Sequence, residues 1–175
     1  LQHSAPSVAC LHLPTRTVVA GAIYDPYRDE LFSASLNHGA FLNDERITPS
    51  THDDSLTLSN SLVAMGSPPA EESMKASISG ATALMPKVRS LRMTGSAALM
   101  LAYVGVQRFD MYWEYDLSSW DVAAGILFIR ESGGECVDFK GNEWGIEDRK
   151  ILAYRRGGRG AADTLRQTLN EVDVI

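Results

Sequence analysis

Two cysteines in 175 residues, Cys10 and Cys136, cannot build a disulfide framework or a four-cysteine zinc site. They point instead to a reducing compartment, and a cytoplasmic location is expected. No run of eighteen apolar residues occurs, so a membrane-spanning helix is not expected. Positive charge is not in excess either. Sixteen Lys and Arg against 22 Asp and Glu give a net charge of −6, which repels phosphate backbones and argues against nucleic acid as a partner. Also missing are a Gly-x-x-x-x-Gly-Lys-Ser/Thr loop, a Gly-x-Ser-x-Gly elbow and a His-Glu-x-x-His helix, which weakens P-loop, α/β-hydrolase and zincin readings. The four histidines, His3, His12, His38 and His52, are scattered without metal-ligand spacing and are expected to be surface or structural residues. No internal repeat, low-complexity tract or heptad series is visible. The first residue is Leu, with nothing like a signal peptide behind it, which fits either processing or a piece of a longer chain.

What is present is a globular composition, with 45% apolar and 22% charged residues. A chain of this length can bury about 70% of the surface its unfolded form exposes. The first sixty residues read as short strands, Ser7 to Leu13, Thr17 to Tyr24 and Glu30 to Ala34, separated by turn residues that favour an antiparallel meander. Asn43-Asp44 between Gly39-Ala40-Phe41-Leu42 and Glu45-Arg46-Ile47 predicts a tight hairpin, although Asn-Asp is a weaker signal than Asn-Gly. From about residue 56 strands alternate with helical segments, the pattern of α/β layers. Leu62–Met65 reads as a buried strand, Ala70 to Leu84 as a helix weakened by Gly80, and Ala97 to Val104 as a helix entered through Thr94-Gly95-Ser96. Phe109 to Trp113 is a strand candidate. Val122, Ile126 and Ile129 fall at helical spacing before Gly133-Gly134, which closes that helix as a C-cap would. Cys136 to Phe139 and Ile151 to Tyr154 read as strands, and Ala161 to Val172 as a closing helix. Two units are expected, an antiparallel-sheet part over 1–59 and an α/β part over 60–175.

The richest stretch for chemistry is Glu114-Tyr115-Asp116-Leu117-Ser118-Ser119-Trp120-Asp121. It brings three carboxylates to a junction between a strand and a helix start, where backbone N–H groups and the helix dipole also attract anions. Mg²⁺ prefers such oxygen ligands and can bridge to a substrate phosphate. The bland alternative is a capping box, with Ser118 as N-cap and Asp121 three residues later, and spacing alone favours it. Trp120 is expected to be a packing anchor. The second candidate is Thr94-Gly95-Ser96-Ala97-Ala98, whose small residues leave the first N–H groups of a helix approachable for a phosphate or hydroxyl, though an ordinary N-cap explains them as well. Cys136, in a strand, reads as a buried small hydrophobe.

Trp120-Asp121-Val122-Ala123-Ala124-Gly125, then Glu131-Ser132-Gly133-Gly134 and Asp138-x-x-Gly141, resemble the C-terminal signature of the inositol monophosphatase family of Mg²⁺-dependent, lithium-sensitive phosphatases. Gly95-Ser96-Ala97-Ala98, Gly39-Ala40-Phe41-Leu42-Asn43 and Val19-Ala20-Gly21-Ala22-Ile23-Tyr24-Asp25-Pro26 occur in the family's order, so the resemblance covers nearly the whole chain. It implies an α/β fold, a layered αβαβα sandwich of the sugar-phosphatase type. It implies that Asp121 ligates Mg²⁺ and so takes part in catalysis. Glu114 matches the carboxylate that contacts a substrate hydroxyl, and Gly95, Ser96 and Ala97 match the helix start that lines the substrate pocket. The implied reaction is attack of metal-activated water on inositol monophosphate or a similar small polyol or sugar phosphate, without a covalent phosphoenzyme. Homodimers are common in the family.

Two acidic motifs of the family, a Glu-Glu pair on a helix and an Asp-Pro-x-Asp-Gly-Thr-x-Asn loop, do not occur in this sequence. They supply most of the metal ligands. His3, Pro6 and Ser7-Val8-Ala9 resemble the family's stretch just after that loop, so the chain is expected to be N-terminally truncated, with the remaining Mg²⁺ ligands upstream of Leu1. One carboxylate cannot hold Mg²⁺ at useful affinity, and the isolated chain is expected to be inactive and to self-associate through uncovered sheet surface. The rival enzymatic readings are hydrolysis of histidinol phosphate, fructose bisphosphate or phosphoadenosine phosphate. The rival outside enzymology is a pseudophosphatase or ligand-binding module.

Overall fold

The computed structural model describes residues 4–48 and 56–172. Strands β1 (Ser7–His12), β2 (Thr17–Asp25), β3 (Glu30–Ser35), β4 (Gly39–Leu42) and β5 (Glu45–Arg46) form an antiparallel meander in sequence order. The hairpin between β4 and β5 turns at Asn43 and Asp44, with φ of 47° and 67°. These are the left-handed angles that a two-residue type I′ turn needs, and Asn and Asp tolerate them better than most residues.

The second sheet runs β7 (Ser90–Arg92), β6 (Leu62–Met65), β8 (Met111–Glu114), β10 (Ile151–Tyr154) and β9 (Glu135–Val137). Strand β6 is parallel to β7 and β8, whereas β10 is antiparallel to β8 and β9. Four α-helices complete the described residues: α1 (Glu71–Leu84), α2 (Ala97–Gly105), α3 (Ser119–Glu131) and α4 (Arg159–Val172).

Alternation along the strands of the second sheet assigns the layers. On β8, Tyr112 points into the core shared with α2, α3 and the first sheet, while Met111 and Trp113 point into the core shared with α1 and α4. On β10, Ile151 and Ala153 share the first core, and Leu152 and Tyr154 the second. The described residues thus stack as sheet, helix pair, sheet, helix pair, and the layered α/β class expected from sequence is borne out. Helices α2 and α3 lie in the middle. Each is apolar almost all round, with Leu99, Leu101 and Val104 of α2 and Val122 and Ile129 of α3 fully buried, as a helix between two sheets requires. The face of the first sheet turned away from α3 carries small residues, among them Ala20, Ala22, Ser33 and Ser35 beside Val8 and Cys10, around a shallow depression of about 280 Å³. Val8 is 70% exposed there.

Most expected elements form within a residue or two of their sequence-based bounds. Strand β7 is the exception: Ser90-Leu91-Arg92 has no apolar run or alternation, and its pairing with Leu62, Val63 and Ala64 makes it a strand. Helix α3 starts earlier than the apolar spacing indicates because its N-cap, Ser118, lies before the first buried residue. Trp120 is not a packing anchor. It sits in the first turn of α3 and is 77% exposed. His12 and His38 lie on the surface, while His3 and His52 fall outside the described residues.

Candidate functional site

The site forms where β8 ends and α2 and α3 begin. Side chains on a strand repeat every two residues, so Glu114 follows Tyr112 onto the face that looks at α2 and α3. Asp116, with φ of 58°, turns the chain out of the strand, and its carboxylate is held by Arg149 at 2.5 Å. The chain then enters α3 through Ser118.

Asp121 performs the structural task expected of a capping box, since its Oδ2 accepts the Ser118 backbone N–H at 3.0 Å. The cap consumes one oxygen. Oδ1 carries no hydrogen bond among the described residues, so capping and ligand binding are compatible at this residue. The half-buried Asp121 shares an open depression of about 510 Å³ with Ser4, Gly95, Ser96, Ala97 and Trp120. Ser96 is the N-cap of α2, its hydroxyl accepting the Leu99 N–H at 3.4 Å. Gly95 has φ of 91°, and a Cβ built on it would meet nothing within 4 Å. A side chain is therefore absent for backbone conformation and not for packing, and the backbone lies bare towards the depression. Two helix N-termini and one carboxylate converge there, which suits a phosphate together with a cation.

Glu114 stands behind this depression and does not line it. It is 8% exposed. The Tyr112 hydroxyl, itself fully buried, donates a short hydrogen bond to its Oε2. Burial pushes the Glu114 carboxyl above its usual range and the Asp121 charge pushes the same way, while hydrogen bonds from Tyr112 and the Ser67 backbone N–H oppose them. Burial and the neighbouring Glu114 raise the Tyr112 phenol far above its usual value, so it remains a donor. Tyr112, Gly66 and Ser67 were not singled out from sequence. The two-residue spacing of Tyr112 and Glu114 is the one signal that could have found the first of them.

Cys136 is buried in β9, and burial pushes its thiol up to about 12, which makes it inert as a nucleophile. Among the described residues no group of three or more His, Cys, Asp or Glu side chains is placed to hold a metal ion. The hard carboxylate oxygen of Asp121 suits Mg²⁺ in kind, but the described residues do not by themselves complete a Mg²⁺ site. Among them, no helix is long and apolar enough to cross a membrane.

Residues 1–172 match the sequence profile of the inositol monophosphatase family. An inositol-1-monophosphatase of Rhizobium meliloti is 35% identical over 153 residues, which cover 87% of this chain and 55% of that protein. The Nus factor SuhB of Xylella fastidiosa is 43% identical over 154 residues, covering 84% of this chain and 54% of that one. Among solved structures, the extragenic suppressor protein suhB of Bartonella henselae superposes with a TM-score of 0.82 at 34% identity, over 95% of this chain and 61% of that chain. An inositol monophosphatase of Anabaena superposes with a TM-score of 0.79 at 32% identity, over 90% and 63%. The chain thus spans about half the length of the curated relatives it matches.

Proposed function

Because the chain belongs to the inositol monophosphatase family, we propose that it carries the substrate-facing part of a Mg²⁺-dependent phosphomonoesterase acting on inositol monophosphate or a similar small polyol phosphate. The observation that carries this reading is the convergence of Asp121 with the bare N-terminal turn of α2, Gly95-Ser96-Ala97, in one depression. In this reading the α2 N–H groups hold phosphate oxygens, Asp121 offers one carboxylate oxygen to the metal, and Glu114 accepts a hydroxyl of the polyol. Bound Mg²⁺ supplies charge neutralisation and an activated water. Its other ligands come from outside the described residues. The α/β part supplies Gly95, Ser96, Ala97 and Asp121, and the antiparallel-sheet part adds Ser4, Ala5 and Ser7 to the same depression. The two free cysteines suit work in the cytoplasm.

The test joins the chain to the acidic motifs of a family member and measures phosphate release from inositol monophosphate with and without Mg²⁺. Activity should require Mg²⁺ and fall at least about 100-fold in Asp121→Asn, the loss of several kcal/mol of charge stabilisation. An intact rate in that variant refutes the assignment. A panel with histidinol phosphate, fructose bisphosphate and phosphoadenosine phosphate identifies the substrate class, and no turnover of any of them favours a non-catalytic module.

A second reading takes support from the 43% identity to a protein named Nus factor SuhB. Under it the chain associates with the transcription apparatus, either besides or instead of hydrolysis. Co-purification with RNA polymerase that survives Asp121→Asn would support this reading, and no association in a purified binding assay would remove it.

A further inference from the structure

We infer that Tyr112, together with the Gly66-Ser67 turn, is a positioning residue that fixes the Glu114 carboxylate so that one oxygen is presented to a substrate hydroxyl. The inference rests on the proposal that Glu114 accepts such a hydroxyl. A glutamate side chain has three rotatable bonds and, when exposed, spends most of its time in unproductive rotamers. Here every side of it is constrained. Tyr112 reaches it from the same strand face and occupies Oε2. Its ring is fully buried among the residues between the two sheets and cannot swing away. The nearby Ser67 backbone N–H favours the charged form of the carboxylate as well.

Gly66 completes the clamp by having no side chain. Its N–H donates to the Trp113 carbonyl at 3.1 Å, which extends the ladder between β6 and β8 and pins Gly66 against the residue preceding Glu114. A Cβ on Gly66 would fall 1.7 Å from the Glu114 carboxyl carbon, inside the space the carboxylate fills. The carboxylate therefore occupies the volume that any other residue at 66 would claim. A buried polar pair this specific goes beyond what the core needs, since Phe and Gln of similar shape would fill the same volume without a buried acid. Its effect is to hold an acceptor still just behind the residues that line the depression, and preorganised acceptors discriminate strongly between hydroxylated substrates and analogues that lack the hydroxyl.

The experiment uses the chain joined to the acidic motifs of a family member and compares inositol monophosphate with p-nitrophenyl phosphate, which offers no neighbouring hydroxyl. Tyr112→Phe should raise KM for inositol monophosphate on the order of tenfold more than for p-nitrophenyl phosphate, with kcat moved far less. In a Glu114→Gln background the same substitution should add nothing. Equal effects on the two substrates, or an additive effect in that background, overturn the role of Tyr112. If Glu114→Gln itself fails to discriminate between the substrates, the hydroxyl-contact reading falls and this inference falls with it. Gly66→Ala, which displaces the same carboxylate from the other side, should give the same substrate split; its absence there counts against the clamp even if the Phe variant folds poorly.

Discussion

Replacing Gly125 by Ala sets two effects of opposite sign against each other. Within a helix, Gly→Ala ordinarily stabilises by about 0.5–1 kcal/mol, because Ala restricts the unfolded chain and fits the helix. Gly125 lies in the middle of α3 where it crosses α2, and a Cβ there would stand 2.6 Å from Leu101 Cβ and 2.7 Å from its Cδ1. Leu101 is fully buried and Cβ is fixed to the α2 backbone, so no rotamer change relieves the contact and the helices must separate. Overpacking of this kind costs about 1–3 kcal/mol. The packing term wins, and Gly125→Ala should destabilise by a net ~0.5–2 kcal/mol. Gly160, in the first turn of α4, is the matched control: a Cβ there meets nothing within 4 Å. Gly160→Ala should stabilise by about 0.5 kcal/mol. Urea denaturation of both variants with unchanged m-values reads the difference, and in a chain of this length each kcal/mol moves Tm by about 2–4 °C. A Gly125→Ala protein as stable as the parent would refute the reasoning. The separation also moves the α3 N-terminus relative to α2, so under the proposed function phosphate release by the chain joined to the family's acidic motifs should fall with it.

The network around Asp25 gives a pH-dependent prediction. Burial pushes its carboxyl up, but the Tyr103 hydroxyl at 2.9 Å, the Tyr27 and Arg28 backbone N–H groups and the Arg28 guanidinium together hold it below its usual value of 3.8. Tyr103→Phe should cost about 1.5–3 kcal/mol at neutral pH. A depressed acid contributes stability above its unfolded value and loses it as pH falls through the folded one, so the deficit should shrink below about pH 4. Glu114 has the opposite sign: its raised carboxyl makes the unfolded chain the first to ionise, and stability falls as pH rises above 4.5. Glu114→Gln should remove that decline in thermal melts between pH 4 and 7, and under the proposed function it should weaken polyol phosphate turnover by the chain joined to the family's acidic motifs. A thiol reagent should titrate exposed Cys10 in the native chain and Cys136 only after denaturation, and two fast thiols would contradict the burial of β9.

Much of the fold was legible because its elements carry local signals. Ser118 and Gly133-Gly134 bracket α3, and Asn43-Asp44 produced its hairpin despite lacking glycine. Strand β7 was not legible, since a three-residue parallel edge is defined by its neighbour and not by its own pattern. Trp120 misled because a large aromatic next to an apolar helix face suggests burial, whereas the first turn of α3 projects it over the depression. Asp121 and Gly95-Ser96-Ala97 were found as separate motifs, and the structure brings them together. The Glu114 clamp escaped because Gly66 stands far from it in sequence and its contribution is an empty volume, which composition and spacing do not report.

Helix α3 ties Asp121 to the centre of the molecule. Its central amides, shielded by a sheet on either side, have no route to solvent short of general opening, and in hydrogen exchange they should be among the slowest in the chain. A carboxylate at the head of such a helix shares the fate of the whole fold. Heating should then release the Asp121 cap and the native structure at one temperature, with no warm, folded intermediate in which α3 alone has frayed.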